Sequence, residues 1–394
     1  MNSENISPPD GLTEEPYHEL AYLSAMKLLT EQFPRRIERL QSAIHAHNLG
    51  GIILVPGPNL RYYTGVNSLL MERPFLLFVP KDGTSHLVAP TLESGPYKTG
   101  SPKLEVHSWT DNEGPIRALK NATSKLNVAG GVWGMEGRVP FRFLALLRKF
   151  TRTEFQEAES CLQELRQVKD EEEIRCLKRS AAILCRSFLS IPSLIKPGMK
   201  ELEVASKLAQ SIRTNGAEGI DDILVQSGES SADPHHIASS RRIKRGESIV
   251  IDTSCTYSGY YADITRTFMI GNNQEFEETY LKVLEANKAA ITESDTGATT
   301  GSVDYAARQT LRKYDLDRFF VHRTGHGLGL EVHEAPYLVE NGTQILHANM
   351  VFTIEPGIYI PSRMGIRIED NLLTTQKGHL VMTRSLPKDF GWWK

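Results

Sequence analysis

Cysteine is scarce in this chain: Cys161, Cys176, Cys185 and Cys255 are the only four in 394 residues, and no two stand as CxxC. That excludes a disulfide framework and a cysteine-ligated zinc or redox module. No stretch approaches the roughly eighteen consecutive apolar residues that a membrane-spanning helix needs. The opening MNSENISPPDGLTEEP is polar and acidic, where a secretory signal requires a basic start and an apolar core. A soluble, cytoplasmic protein is therefore expected, with no membrane partner. Basic blocks are missing as well, since 45 Lys+Arg against 48 Asp+Glu give a formal net charge of −3. Nucleic acid is not an expected partner. There is no P-loop, no GxGxxG and no HExxH, which removes the common nucleotide-binding and zinc-protease signatures.

What is present suits a two-domain enzyme. The chain is longer than one core usually serves, and its 40% hydrophobic content is ample for burial. Residues 1–33 read as a polar tail and a first helix, 34–166 as a small α/β domain, and 167–394 as a larger α+β domain. In RRIERLQSAIHAHNLG, Ile37, Leu40 and Ile44 share one helical face and Gly50 supplies a stop. GIILVPG, FLLFVP and SHLVAP read as buried strands, Pro140 marks a helix start, and LRQVKDEEEIRCLKRSA reads as one long helix with a solvated charged face. Amphipathic helices are expected at about 171–190, 201–215, 274–294 and 301–315, between antiparallel hairpins.

Three distant stretches carry the chemistry: VIDTSCTYSGYYADITRTF with Asp252 and Asp263, GHGLGLEVHE with His326, and FTIEPGIYIPSRMGIRIED with Glu355 and Glu369. Ser258 and Gly259 signal a turn, so the two Asp lie on neighbouring strands. Pro361 and Gly365 bracket a second turn, which puts Glu355 on an incoming strand and Glu369 on the outgoing one. Residues two apart share a sheet face, so Thr265 points with Asp263 and Arg367 with Glu369. The glycines flanking His326 permit close backbone approach. Each carboxylate is directed toward an apolar interior, where an unpaired charge is costly. Four carboxylates and one imidazole form an oxygen-rich set whose charge two divalent cations would cancel. Cys255 sits between the two Asp but reads as a small buried residue.

In order and local context these residues resemble the pita-bread metallopeptidases, the group that includes Xaa-Pro dipeptidase (prolidase), aminopeptidase P and methionine aminopeptidase. The resemblance implies a pita-bread catalytic domain behind a creatinase/prolidase-type N-terminal domain, the latter suggested by PNLRYYTG. It implies that Asp252 binds one metal, that His326 and Glu355 bind the other, and that Asp263 and Glu369 bridge both. It points to His235 in DPHHIA, His322, His333 and Arg367 as substrate-contacting groups, and to a homodimer.

Two bridged cations suit hydrolysis: they make hydroxide accessible near neutral pH, and Glu355 can carry the proton to the leaving nitrogen. The expected activity is cleavage of the Xaa-Pro bond in a proline-containing dipeptide or short peptide, with dipeptidase placed ahead of aminopeptidase. Manganese leads as the metal, with cobalt, zinc and iron as alternatives. The alternative readings are a pita-bread hydrolase or lyase acting on a small non-peptide metabolite, and a non-catalytic binding protein.

Overall fold

The computed structural model describes residues 32–100 and 102–394. The tail and most of the first helix expected within residues 1–33 lie outside that range. Contacts divide the chain into two compact units between Leu162 and Gln163. Among the described residues no helix is long and apolar enough to cross a membrane.

The N-terminal unit begins with a helix over 32–46, whose Leu40 and Ile44 are fully buried. Its six-stranded sheet runs in the order Glu105–Trp109, His86–Pro90, Leu76–Pro80, Gly51–Leu54, Trp133–Met135 and Phe155–Glu157. The three short apolar runs read from the sequence are its central strands, and all of their residues are buried. Pro140 stands in extended conformation just ahead of the helix Phe141–Leu147.

In the C-terminal unit every strand pairing is antiparallel. Helices Glu171–Leu189, Glu201–Thr214, Gln274–Thr292 and Thr300–Arg312 pack on the sheets through one apolar core. That core receives Ile249, Ile251 and Cys255 from one hairpin strand and Ala262, Ile264 and Phe268 from the other. Period-two alternation therefore leaves Asp252, Ser254, Asp263 and Thr265 on the opposite face. Cys255 is a core residue, and burial pushes its thiol up to about 12.

The charged stretch read as one helix is two, Glu159–Gln167 and Glu171–Leu189. The first ends at Gln167, and Asp170 caps the second: its carboxylate accepts from the Glu173 N–H at 2.9 Å, and the Glu173 carboxylate accepts from the Asp170 N–H at 3.0 Å. Between them Lys169 N–H donates to Asn349 O at 2.8 Å, a bond that an unbroken helix would forbid. The charge is only partly solvated: Glu171, Arg175, Lys178 and Arg179 are exposed as expected, whereas Arg166, Lys169, Glu172 and Glu173 are buried. Spacing alone cannot separate a wet charged face from one that meets buried counter-charges.

Candidate active site

The hairpin Ser248–Tyr257 and Tyr260–Met269 turns at Ser258 and Gly259, whose φ values of 51° and 77° match the right-handed twist of its strands. Its register sets Asp252 opposite Thr265 and Ser254 opposite Asp263. The two Asp are therefore diagonal neighbours on one face.

Glu355 and Glu369 fall just outside the strands in which the sequence placed them. Ile354 pairs with Asp370 on one side and Gly357 with Arg367 on the other, so continuing the register brings Glu355 across from Glu369 in a gap between two ladders. The gap has a local cause. Pro356 has no N–H to give, Glu355 N–H donates to Thr324 O at 2.8 Å, and Glu369 N–H donates to Thr265 O at 3.1 Å. Both backbones are drawn toward neighbouring segments, and both side chains enter the same space as the Asp pair.

His326 lies on the short strand Gly325–Gly327. A Cβ on Gly325 would stand 1.9 Å from Thr353 O, so only glycine lets this strand sit so close to its neighbour. Nδ1 of His326 lies 3.2 Å from Gly327 O. A carbonyl can only accept, which assigns the proton to Nδ1 and leaves the Nε2 lone pair facing Glu355 Oε1 at 3.4 Å and Asp263 Oδ2 at 3.9 Å.

The electrostatics describe a site built around positive charge. Burial first, and then neighbouring carboxylates, push Asp263 and Glu369 far above the usual carboxylate range. Burial pushes Glu355 up to about 7, although Arg367 opposes it. Asp263 Oδ1 and Glu369 Oε1 are buried without a hydrogen-bond partner, a costly state for carboxylate oxygens unless a cation meets them. Asp252, Asp263 and Glu369 each present an oxygen within 4.8 Å of the others, and Asp263, His326 and His333 do the same with theirs. Orphaned oxygens, one unprotonated imidazole nitrogen and this spacing fit divalent metal ions.

The surrounding groups are more committed than the sequence suggested. Arg367 donates from Nε to Thr265 Oγ1 at 3.0 Å, from Nη1 to Tyr359 Oη, and from Nη2 to Asp252 Oδ2. Thr265 in turn donates to Glu369 Oε2 at 2.8 Å. His322 Nδ1 lies 2.8 Å from Arg323 O and so carries the proton; Nε2 then accepts from Tyr359 Oη at 2.9 Å. Burial drives the His322 pKa down to about 3, which keeps the ring neutral. His333 is exposed, with its ring edge-on to His326 at 4.2 Å between centroids. Of the DPHHIA pair, His236 turns to the buried Glu201 at 3.1 Å, while His235 is exposed and near enough to lower the proton affinity of both His322 and His333.

Three contributors escaped the sequence reading. Tyr359 joins Arg367 to His322; alternation in GIYI and the hairpin register could have placed it beside Arg367. Arg323 lies close enough to oppose protonation of His326 and His333 and to favour ionised Glu355. Arg266, fully buried on the core face, donates to Asp370 Oδ1 at 2.9 Å and to the Glu369 carbonyl, locking the segments that carry Asp263 and Glu369 together. No sequence signal marks it, because an arginine in a strand usually reads as exposed.

Comparison with known proteins agrees with this geometry. Residues 175–376 match metallopeptidase family M24, and residues 36–168 match the creatinase/prolidase N-terminal domain. The probable dipeptidase PepE of Mycobacterium tuberculosis is 35% identical over 353 residues, 88% of this chain and 93% of that protein. The Xaa-Pro dipeptidase of Pyrococcus horikoshii is 33% identical over 363 residues, 91% of this chain and 99% of that protein. The crystal structure of dipeptidase PepE from Mycobacterium ulcerans superposes with a TM-score of 0.85 at 34% identity, covering 90% of this chain and 96% of that one. With both domains matched and the match running nearly end to end in its relatives, the chain belongs to metallopeptidase family M24 and carries a pita-bread catalytic domain behind a creatinase/prolidase-type N-terminal domain.

Proposed function

We propose that this chain is a two-metal Xaa-Pro dipeptidase. The observation that carries the reading is the cluster of Asp252, Asp263, His326, Glu355 and Glu369 with its orphaned buried oxygens. Asp252 would hold one ion, His326 and Glu355 the other, and Asp263 and Glu369 would bridge them. Manganese suits a set in which oxygen outnumbers nitrogen. When bound, the ions supply Lewis acidity toward the scissile carbonyl and make a nearby water a stronger acid.

The remaining work falls to the chain itself. Glu355 takes a proton from the attacking water as oxygen adds to the carbonyl carbon, and returns it to the prolyl nitrogen as the C–N bond breaks. His333 donates to the carbonyl oxygen as negative charge develops there. Arg367 holds Asp252 in place, with Tyr359 and His322 fixing the guanidinium from behind; His322 thus acts through Tyr359 and does not itself touch substrate. Arg323 and His235 are then the groups left to hold a free carboxylate after proline.

The test compares Ala-Pro, its C-terminal amide and Ala-Pro-Gly with metal-free and manganese-loaded protein. The expected result is activity only after loading, with the amide at least about tenfold slower in kcat/KM because a charge-assisted contact is lost. Equal or faster cleavage of amide and tripeptide would make the enzyme an aminopeptidase. Failure on every proline peptide despite full loading would favour a non-peptide metabolite as substrate.

A cytoplasmic homodimer completes the proposal. The buried free thiols Cys176, Cys185 and Cys255 suit a reducing compartment. Leu69, Leu70, Met71 and Phe141 leave apolar surface exposed on the N-terminal unit, and Arg142 Nη2 draws their segments together by donating to Met71 O at 2.7 Å. Light scattering on the purified chain gives the assembly directly.

A further inference from the structure

A second group of metal-type side chains lies in the N-terminal unit, on residues with no part in the chemistry above. Strands His86–Pro90 and Glu105–Trp109 pair in parallel with His86 opposite Glu105, and His107, two residues on, shares the face of Glu105. The His86 and His107 side chains are only 7% and 10% exposed, whereas Glu105 is 38% exposed and opens the group to water. His86 Nδ1 lies 3.0 Å from His107 Nε2, Glu105 Oε1 lies 3.5 Å from His107 Nε2, and Glu105 Oε2 lies 3.6 Å from His86 Nε2.

These separations do not make a complete hydrogen-bonded cluster. The histidine pair can share one N–H, but the carboxylate is too far from either ring for a good hydrogen bond. One ligand atom from each of the three residues lies within 4.8 Å of the other two, a spread that small side-chain rotations close to the roughly 3.3–3.4 Å at which a tetrahedral ion with bonds of about 2.0–2.1 Å keeps its ligands. We propose that His86, Glu105 and His107 bind one divalent transition-metal ion of the zinc and cobalt class, independently of the catalytic centre.

The surroundings agree. Burial lowers the proton affinity of both imidazoles, so their lone pairs are available near neutral pH. Lys125, at the end of helix Ile116–Lys125, bonds Glu105 Oε1 and keeps the carboxylate ionised. Its side chain is 59% exposed and can swing into water when an ion arrives. Lys125 is thus the competitor that sets affinity. Glu105–Trp109 is an edge strand, and an ion here would tie it to His86–Pro90 beyond the backbone ladder.

The test equilibrates chelator-stripped full-length protein with graded free Zn(II) and measures bound zinc per chain by elemental analysis. The parent is expected to bind one equivalent more than His107→Ala or Glu105→Gln, with dipeptide turnover the same in all three. Lys125→Ala should tighten that equivalent by about two- to fivefold, the scale of removing one exposed ion pair. Co(II) in the same equivalent should give the intense visible bands of a four-coordinate ion. Glu105→Gln removes no core packing, so its isotherm decides even if His107→Ala folds poorly. An unchanged zinc count and isotherm in Glu105→Gln would overturn the proposal and leave a hydrogen-bonded histidine pair beside a surface ion pair.

Discussion

Glu334→Gln should destabilise this protein strongly, although it lies outside the carboxylate cluster. Glu334 directly follows His333, and each of its oxygens meets a different cation, Oε2 the Arg166 guanidinium and Oε1 the Lys169 ammonium. All three side chains are 4% exposed or less. Arg166 keeps a second partner in Glu331 at 2.9 Å, but Lys169 retains only the Arg166 carbonyl at 2.6 Å. The amide thus leaves a buried ammonium without a counter-charge, a defect that costs about 3–5 kcal/mol.

Urea unfolding followed through Trp392 and Trp393 reports on this unit, separately from Trp109 and Trp133 in the other. The double variant Glu334→Gln/Lys169→Met should recover more than about 1 kcal/mol, since it removes the stranded charge. The pH dependence has a definite sign. Burial opposes ionisation of Glu334, yet Arg166 and Lys169 outweigh it and hold its pKa below the ordinary 4.5. The stabilisation is therefore complete above about pH 4.5 and is lost as pH falls through the native value, a slope that Glu334→Gln should flatten. A single-variant loss under about 1 kcal/mol, with no recovery in the double variant, would refute the reasoning.

Four further outcomes follow. Asp263→Ala should abolish binding of both catalytic metals and all turnover; two tightly held ions per chain by elemental analysis would exclude a bridging role. His333→Ala should keep both ions and lose about a hundredfold in kcat, the effect of removing one donor to a developing oxyanion, whereas loss of metal would place His333 among the ligands. Tyr359→Phe breaks the link between Arg367 and His322 and should cost about tenfold in kcat with KM nearly unchanged, and an unaltered kcat would dismiss the Tyr359 contact. In the N-terminal unit, burial raises Glu136 to about 7 despite hydrogen bonds from Val55 N–H and Asn59. Its contribution is full below about pH 4.5 and declines until pH passes 7; Glu136→Gln should remove that slope from the Trp109 and Trp133 transition, and a persisting slope would implicate another group.

The metal-type cluster was legible because the chemistry that needs it imposes a pattern. A carboxylate that reaches an interior from a strand must alternate with residues that face the core, as Asp263 does between Ala262 and Ile264, and Glu355 and Glu369 each directly follow a buried isoleucine. The Ser258–Gly259 turn fixed the first hairpin to the residue, and the helices in the C-terminal unit were recoverable within one to three residues because each buries a stripe at helical spacing. The interruption at Glu355 and Glu369 was not legible, since it depends on which distant carbonyls, Thr324 and Thr265, capture the two N–H groups.

The failures share one physical cause. Arg166, Lys169, Arg266 and Glu334 are charged residues at positions where charge normally signals water, and each is buried because a partner far along the chain cancels it: Arg166 and Lys169 lie 168 and 165 residues from Glu334, and Arg266 lies 104 from Asp370. Local periodicity assigns a side chain to a face; it says nothing about what lies opposite that face in three dimensions. Arg367 shows the same limit at the site itself. Its sheet face was deduced correctly, but the three contacts that occupy it come from Asp252, Thr265 and Tyr359 on other strands. Those contacts commit its guanidinium to neighbouring side chains, Asp252 among them. Alternation thus locates the candidate metal-facing carboxylates, whereas the charges that hold them in place become visible only once the strands are assembled.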